Sequence, residues 1–202
     1  PLFSPQSRHE LESAVGACLE MSRTGDCSNG PRGAIGGWDV SSVTDMIRLF
    51  SDAIFLDCDI SKWDVSKVID MSWMFSYARS FRGDISKWDV SRVNDMSGMF
   101  QAATSFNGDI SKWDVSGVTN MNYMFRGATS FKQKLCNFAW AHSKASTTGM
   151  FIDSPGSISS TVCMVTSTRI PVFLPQSRSE LKNAVDACLK LSKKGDCLQG
   201  SH

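Results

Sequence analysis

The chain has 202 residues, a formal net charge of +1 and a sequence pI near 8.0. That length supports one sizeable domain with a real core, and the balanced charge gives no reason to expect nucleic acid or an anionic membrane as partner. No apolar run is long enough to span a bilayer and no signal peptide is present, so the chain reads as soluble, its opening at Pro1 suggesting a mature or excised segment. The closing Gly200–His202 has the look of a purification remnant, and His202 is given no functional weight.

The first element is a cap. Ser7 with Glu10 forms a capping box, and Leu11, Ala14, Val15, Cys18 and Leu19 make one apolar stripe at helical spacing. The spacing therefore predicts a helix over 7–22, stopped at Gly25. Cys18 and Cys27 flank its end, and Cys188 and Cys197 repeat that spacing near the other terminus. Two such pairs point to local disulfides and an oxidising compartment. Metal ligation is the weaker alternative, since no His or further Cys stands at ligand spacing. Cys136 and Cys163 are a plausible third bridge, which leaves Cys58 over.

A fixed period of 25 residues follows. Trp38, Trp63, Trp88 and Trp113 keep it, as do Phe50, Phe75, Phe100 and Phe125. A period of this size signals stacked repeats. Within a unit, Ile60, Trp63, Val65, Val68 and Met71 follow a leucine-rich rhythm. The alternation over Lys62–Ser66 predicts a short half-buried strand. Met71, Met74, Phe75 and Ala78 then predict a short helix with Asp70 as N-cap, and Asp45, Asp95 and Asn120 take the same place elsewhere. Asp59, Asp84 and Asp109 read as turn-forming residues. A fifth unit is degenerate, with Leu135 and Phe138 in the Ile and Trp places and Met150–Phe151 one residue late.

One unit cannot bury both of its apolar faces, whereas stacked neighbours can. The expected fold is an α/β repeat solenoid of leucine-rich-repeat type, with short parallel strands on one face, short helices on the other and disulfide-bridged helical caps. The expected organisation is a cap over 1–34, then a solenoid over 35–165 with repeats opening near Gly36, Cys58, Gly83, Gly108 and Gln133. Residues 171–202 carry a second copy of the cap, identical to the first at eighteen of thirty positions. It is either the opening of a following module or a duplicated C-terminal cap, and in both cases would pack near 138–151.

The phrase DISKWDVSRVNDMSGMFQAATSFNGDIS, running from Asp84, resembles the repeat of the BspA-like leucine-rich-repeat surface proteins. The likeness covers about residues 35–132. It implies a secreted or cell-surface protein built as a right-handed solenoid, used for adhesion or interaction, with no catalysis and no cofactor. The bridged cap and the degenerate fifth unit depart from that pattern.

Nothing in the residues argues for an enzyme. His9, His142 and His202 belong to no Ser-His-Asp or Cys-His arrangement, and no phosphate-binding glycine loop is present. The candidate surface is the polar side of the expected strands: Lys62, Lys87 and Lys112 in one column, Asp64, Asp89 and Asp114 in a second, Ser66, Ser91 and Ser116 in a third. Strands about 4.8 Å apart set the aspartates against one another. The bland reading is a self-neutralising surface with diagonal lysine–aspartate pairs; the functional one is a flat recognition face for a protein or glycan; calcium between aspartates is the least supported. Expected partners are an extracellular protein, a glycan or neighbouring copies of the module. Adhesion and end-to-end assembly into a filament, sheath or matrix remain the two main readings, with a secreted hydrolase a distant third.

Overall fold

A computed structural model describes residues 2–163. The first element, α1 (Arg8–Met21), begins where Ser7 Oγ accepts the N–H of Glu10 at 3.2 Å. The Glu10 carboxylate reaches back to the N–H of Gln6 at 2.9 Å, one residue earlier than the usual reciprocal partner. The helix closes on Ser22, whose N–H returns to Cys18 O at 2.8 Å. Gly25, the expected stop, instead turns the following loop at φ +86, against Leu56 and Cys58 of the next coil. Leu11, Ala14, Val15 and Cys18 are buried. Each such Leu or Val contributes about 1.5–3 kcal/mol relative to exposure. The Cys18–Cys27 disulfide holds the loop to the helix end.

From Ile35 onward each 25-residue segment forms one coil lying directly on the next. A strand over Lys62–Ser66 and a helix after Asp70 are not formed; Trp63–Val65 have no regular structure between two turns, and Ser72–Tyr77 are a run of turns. The reason lies in where the N–H groups go. Met71, Trp73, Phe75 and Tyr77 donate to the carbonyls of Asp95, Ser97, Met99 and Gln101 at 2.7–3.0 Å, that is, to the neighbouring coil. Between them Met74, Ser76 and Ala78 close tight turns onto Met71, Trp73 and Phe75. An α-helix would satisfy those donors internally. The alternation requires left-handed residues, and Trp73 (φ 60) and Tyr77 (φ 59) supply them. Asp45, Asp70, Asp95 and Asn120 are therefore not N-caps. They form consecutive parallel bridges between coils, and each side chain accepts the N–H two residues on at 2.7–3.1 Å.

The interior is a set of columns. Phe50, Phe75, Phe100, Phe125 and Phe151 stack at 5.4–5.6 Å between centroids. Phe81, Phe106 and Phe131 stack beside them at 5.9–6.0 Å. The indoles tie coil to coil: Nε1 of Trp63, Trp88 and Trp113 donates to the carbonyls of Ile35, Ile60 and Ile85, 28 residues back, at 3.0–3.2 Å. In the fifth unit Trp140, not Phe138, takes this place. Its Nε1 reaches Ile110 O at 3.2 Å, while Phe138 is 71% exposed. Asn137 accepts the N–H of Trp140 and starts a single helical turn, α2 (Phe138–Ala141), which swings the indole inward.

The start of the chain substitutes for a coil that would precede the first. Trp38 donates to Arg32 O at 2.9 Å, and Phe3 packs edge-on against the Trp38 ring at 5.1 Å. Arg8 holds the Ile47 carbonyl and pairs with Asp45. At the far end β1 (Lys134–Leu135) and β2 (Ser157–Ile158) pair in parallel, and the Cys136–Cys163 disulfide fastens the final described residue to that coil. The second cap copy, its Cys188 and Cys197, its expected packing near 138–151 and the solenoid's limit at 165 lie outside the described residues.

Candidate interaction surface

Stacking places the predicted polar residues in columns on one side. Lys62, Lys87, Lys112, Asp64, Asp89 and Asp114 are exposed, as are Ser91 and Ser116, while Ser66 is half-buried. Diagonal lysine–aspartate pairs do not form: among the described residues the one ion pair is Arg8–Asp45, at 3.5 Å. The aspartates are held by local turns instead. Asp64, Asp89 and Asp114 each accept the N–H of Ser66, Ser91 and Ser116 at 3.0 Å, and Ser91 Oγ adds a second bond to Asp89 at 2.7 Å. The serine hydroxyl and then its N–H hold each carboxyl below its usual value, outweighing the opposing effect of partial burial. Asp59, Asp84 and Asp109 form a second column of the same kind with Ser61, Ser86 and Ser111. Each aspartate thus spends one oxygen on its own turn, and Lys62, Lys87 and Lys112 form no ion pair among the described residues.

The repeated tryptophans are core, not platform: Trp38, Trp63, Trp88 and Trp113 are at most 4% exposed. Surface aromatics come from positions where the repeat varies. Arg48, Trp73, Gly98 and Tyr123 occupy one register, all with positive φ. The Trp73 ring lies over Gly98, and Arg48 lies over Trp73 at 5.4 Å. Tyr123 lies over Gly149 in the same way, with Arg126 at 5.7 Å from its ring. Comparing the repeats column by column, rather than reading one unit along its length, is the signal that isolates them.

His9 sits in the first turn of α1, and His142 bonds Phe138 O and stacks on the Phe138 ring at 4.3 Å. No group of three or more His, Cys, Asp or Glu that could hold a metal occurs among the described residues. Cys58 has no disulfide partner among the described residues; burial pushes its thiol up to about 12, which makes it a poor nucleophile. No helix among the described residues is long and apolar enough to cross a membrane.

With these columns in view, the match of the chain to a family model is informative. A family described as "Mycoplasma protein of unknown function, DUF285" matches residues 20–140, more than half of the chain. The chain belongs to this family. The DUF285 match runs from inside α1 to α2 and takes in every full Trp-Asp, Met-Phe repeat, so the family signature and the stacked coils are the same stretch. No curated protein and no solved structure matches the chain.

Proposed function

We propose that the chain is a non-enzymatic extracellular module, one unit of a tandem-repeat surface protein of BspA-like type, built as a leucine-rich-repeat-like solenoid and used for adhesion to protein or glycan. The observation that carries this reading is the unpaired lysine column. Lys62, Lys87 and Lys112 recur in register on a stack rigidified by aromatic columns; among the described residues none is in an ion pair, and Asp59, Asp84 and Asp109 act on them only at longer range. A regular row of free cations offers several weak contacts at once to a repeating anionic or polar ligand, and repetition of the module would add avidity. The two disulfides suit an oxidising, extracellular setting.

The test is a binding screen of the whole chain against glycans and extracellular-matrix proteins, with and without calcium. A hit that disappears in the Lys62→Ala, Lys87→Ala, Lys112→Ala triple variant supports this face; a hit that survives removes it. End-to-end assembly is the second reading, favoured by the second cap copy over 171–200. Mass that grows with concentration, with filaments in electron micrographs, would replace adhesion by architecture.

A further inference from the structure

The turn that joins one coil to the next is nearly invariant, and one copy of it differs in a chemically specific way. In register, the residue two before the turn aspartate is Asp57, Arg82, Asn107 and then Lys132. The next residue is Cys58, Gly83, Gly108 and Gln133; the aspartate itself is Asp59, Asp84 and Asp109, with Lys134 in the fifth unit. The repeat supplies the glycine and the aspartate. A single coil adds an arginine, and only there does the chain read Arg82-Gly83-Asp84.

The structure gives that arginine no internal task. Arg8 is held by Asp45 and a backbone carbonyl, and Arg23, Arg32, Arg48 and Arg126 lie over aromatic rings. Arg82, like Arg79 and Arg92, is exposed and among the described residues has neither kind of partner, nor any side-chain hydrogen bond. Asp57, its neighbour in the same register, is not within ion-pair distance. Asp84 is exposed too. One of its oxygens accepts the Ser86 N–H at 3.0 Å, which fixes the carboxylate; the other makes no hydrogen bond among the described residues, and Lys87 acts on the group at longer range. Between them stands only a glycine, and a Cβ on Gly83 would come within 2.8 Å of the Phe81 ring as it is placed. That ring is fully buried and stacked on Phe75 and Phe106. The guanidinium and the carboxylate are therefore presented on one irregular stretch with nothing rising between them.

This pair has a defined complement. A planar guanidinium is best met by a carboxylate, bidentate where geometry allows. A fixed carboxylate with one free oxygen is a ready ligand for a hard divalent cation with an open position. We infer that Arg82-Gly83-Asp84 is a docking site for a metal-dependent adhesion receptor, one that offers a bound divalent cation to Asp84 and a carboxylate to Arg82. This is the chemistry by which receptors of the integrin class read short segments. The inference deepens the adhesion reading and rests on it, but it assigns the contact to an edge turn instead of the lysine columns.

Asp109 is an internal control that the repeat itself provides. It makes the same turn with Ser111 at 2.9 Å, beside the same kind of glycine, but follows Asn107. The experiment measures binding of the full chain to immobilised, purified Arg-Gly-Asp-reading integrin ectodomain in manganese. Expected are saturable binding that is lost in EDTA and competed by a short linear Arg-Gly-Asp peptide, and at least tenfold weakening in Asp84→Glu and in Arg82→Ala. Asp109→Glu and Arg79→Ala should bind as the parent does. Equal melting temperatures of Asp84→Glu and Asp109→Glu exclude a folding explanation. Absence of metal-dependent binding, or binding that persists in Asp84→Glu, overturns the inference. The same proteins run over the glycan and matrix panel separate the two levels: panel binding unchanged in Asp84→Glu, with no receptor binding, removes this site and keeps adhesion. No binding to either removes both.

Discussion

Replacing Trp88 by alanine tests the stacking directly. The indole is 4% exposed, lies 6.3 Å from the Phe75 ring and donates Nε1 to Ile60 O in the preceding coil at 3.2 Å. Truncation removes the ring from between two coils. Neither coil can collapse into the space, because each is pinned to its neighbours by backbone bonds. The cost belongs at the upper end of about 3–5 kcal/mol for a large-to-small change. The lost hydrogen bond adds about 1 kcal/mol and no more, because Ile60 O keeps the Trp63 N–H at 3.1 Å. Trp88→Phe retains much of the volume and should cost about 1–2 kcal/mol. Urea unfolding followed by circular dichroism reads both. At a slope of about 2 kcal/mol/M, a loss of about 6 kcal/mol moves the alanine midpoint down by about 3 M. A shift under about 0.5 M would mean that the indole is not wedged between coils, and the register assigned to every coil would be wrong.

Gly98→Ala should destabilise by more than the about 1–2 kcal/mol for a left-handed alanine, because its Cβ would meet the Trp73 ring at 2.5 Å; Gly127→Ala, whose nearest contact is 3.7 Å, should show the backbone cost alone. Adding Trp73→Ala to Gly98→Ala should recover the excess, as read by thermal melts. Removing Cys136–Cys163 by double Cys→Ser substitution opens a loop with a sequence separation of 27 and should cost about 3.5 kcal/mol by loop-closure entropy, measured by urea titration. In acid, Asp39, Asp59, Asp64, Asp84, Asp89, Asp109 and Asp114 all have folded values below their usual ones. Their stabilisation is therefore present above the usual carboxylate value and lost as pH falls through the depressed one. The melting temperature should drop below about pH 4, and a flat profile would contradict the turn bonds. Cys58, with its thiol near 12, should resist iodoacetamide at pH 8 about a thousandfold longer than in the unfolded chain, as read by peptide mass spectrometry.

The period and the identity of the buried columns were legible because burial is dictated by residue type. Trp63, Val65, Val68, Met71, Met74 and Phe75 have apolar, buried counterparts in each of the four full coils. Local conformation was not legible, since two conformations bury the same residues. Met71, Met74, Phe75 and Ala78 lie at helical spacing, but they also suit consecutive tight turns. The choice is made by Trp73 and Tyr77 entering the left-handed region so that alternate N–H groups can reach the next coil. That reward exists only when a next coil is present, so it is invisible in one unit read alone. The fifth unit fails for a related reason. Phe138 sits at the periodic place, but Asn137 caps a helical turn there and delivers Trp140 instead. On the surface, the aspartate columns were legible and their neutralisation was not. The expected lysine partner lies on another turn, whereas the serine two residues on is always within reach.

Repetition and departure do different physical work in this chain. Whatever recurs in every coil is needed by the coil beneath it, as with the Trp Nε1–Ile carbonyl bonds, the phenylalanine columns and the aspartate-capped turns. Such residues are constrained by the stack and carry little freedom to select a ligand. The lysine column is the intermediate case, repeated but unpaired, and it suits a ligand that is itself repetitive. Arg82 is the opposite case: it occurs once in this register, makes no ion pair among the described residues and sits beside a carboxylate whose orientation the repeat already fixes. A ligand that reads the lysine column should bind with an affinity that falls stepwise as lysines are removed, because each adds a similar contact. A ligand that reads Arg82 and Asp84 should bind one per chain and vanish with either residue, because neither half of the complement suffices alone. Stoichiometry and the shape of the mutational response therefore distinguish the two surfaces, even before the ligand is identified.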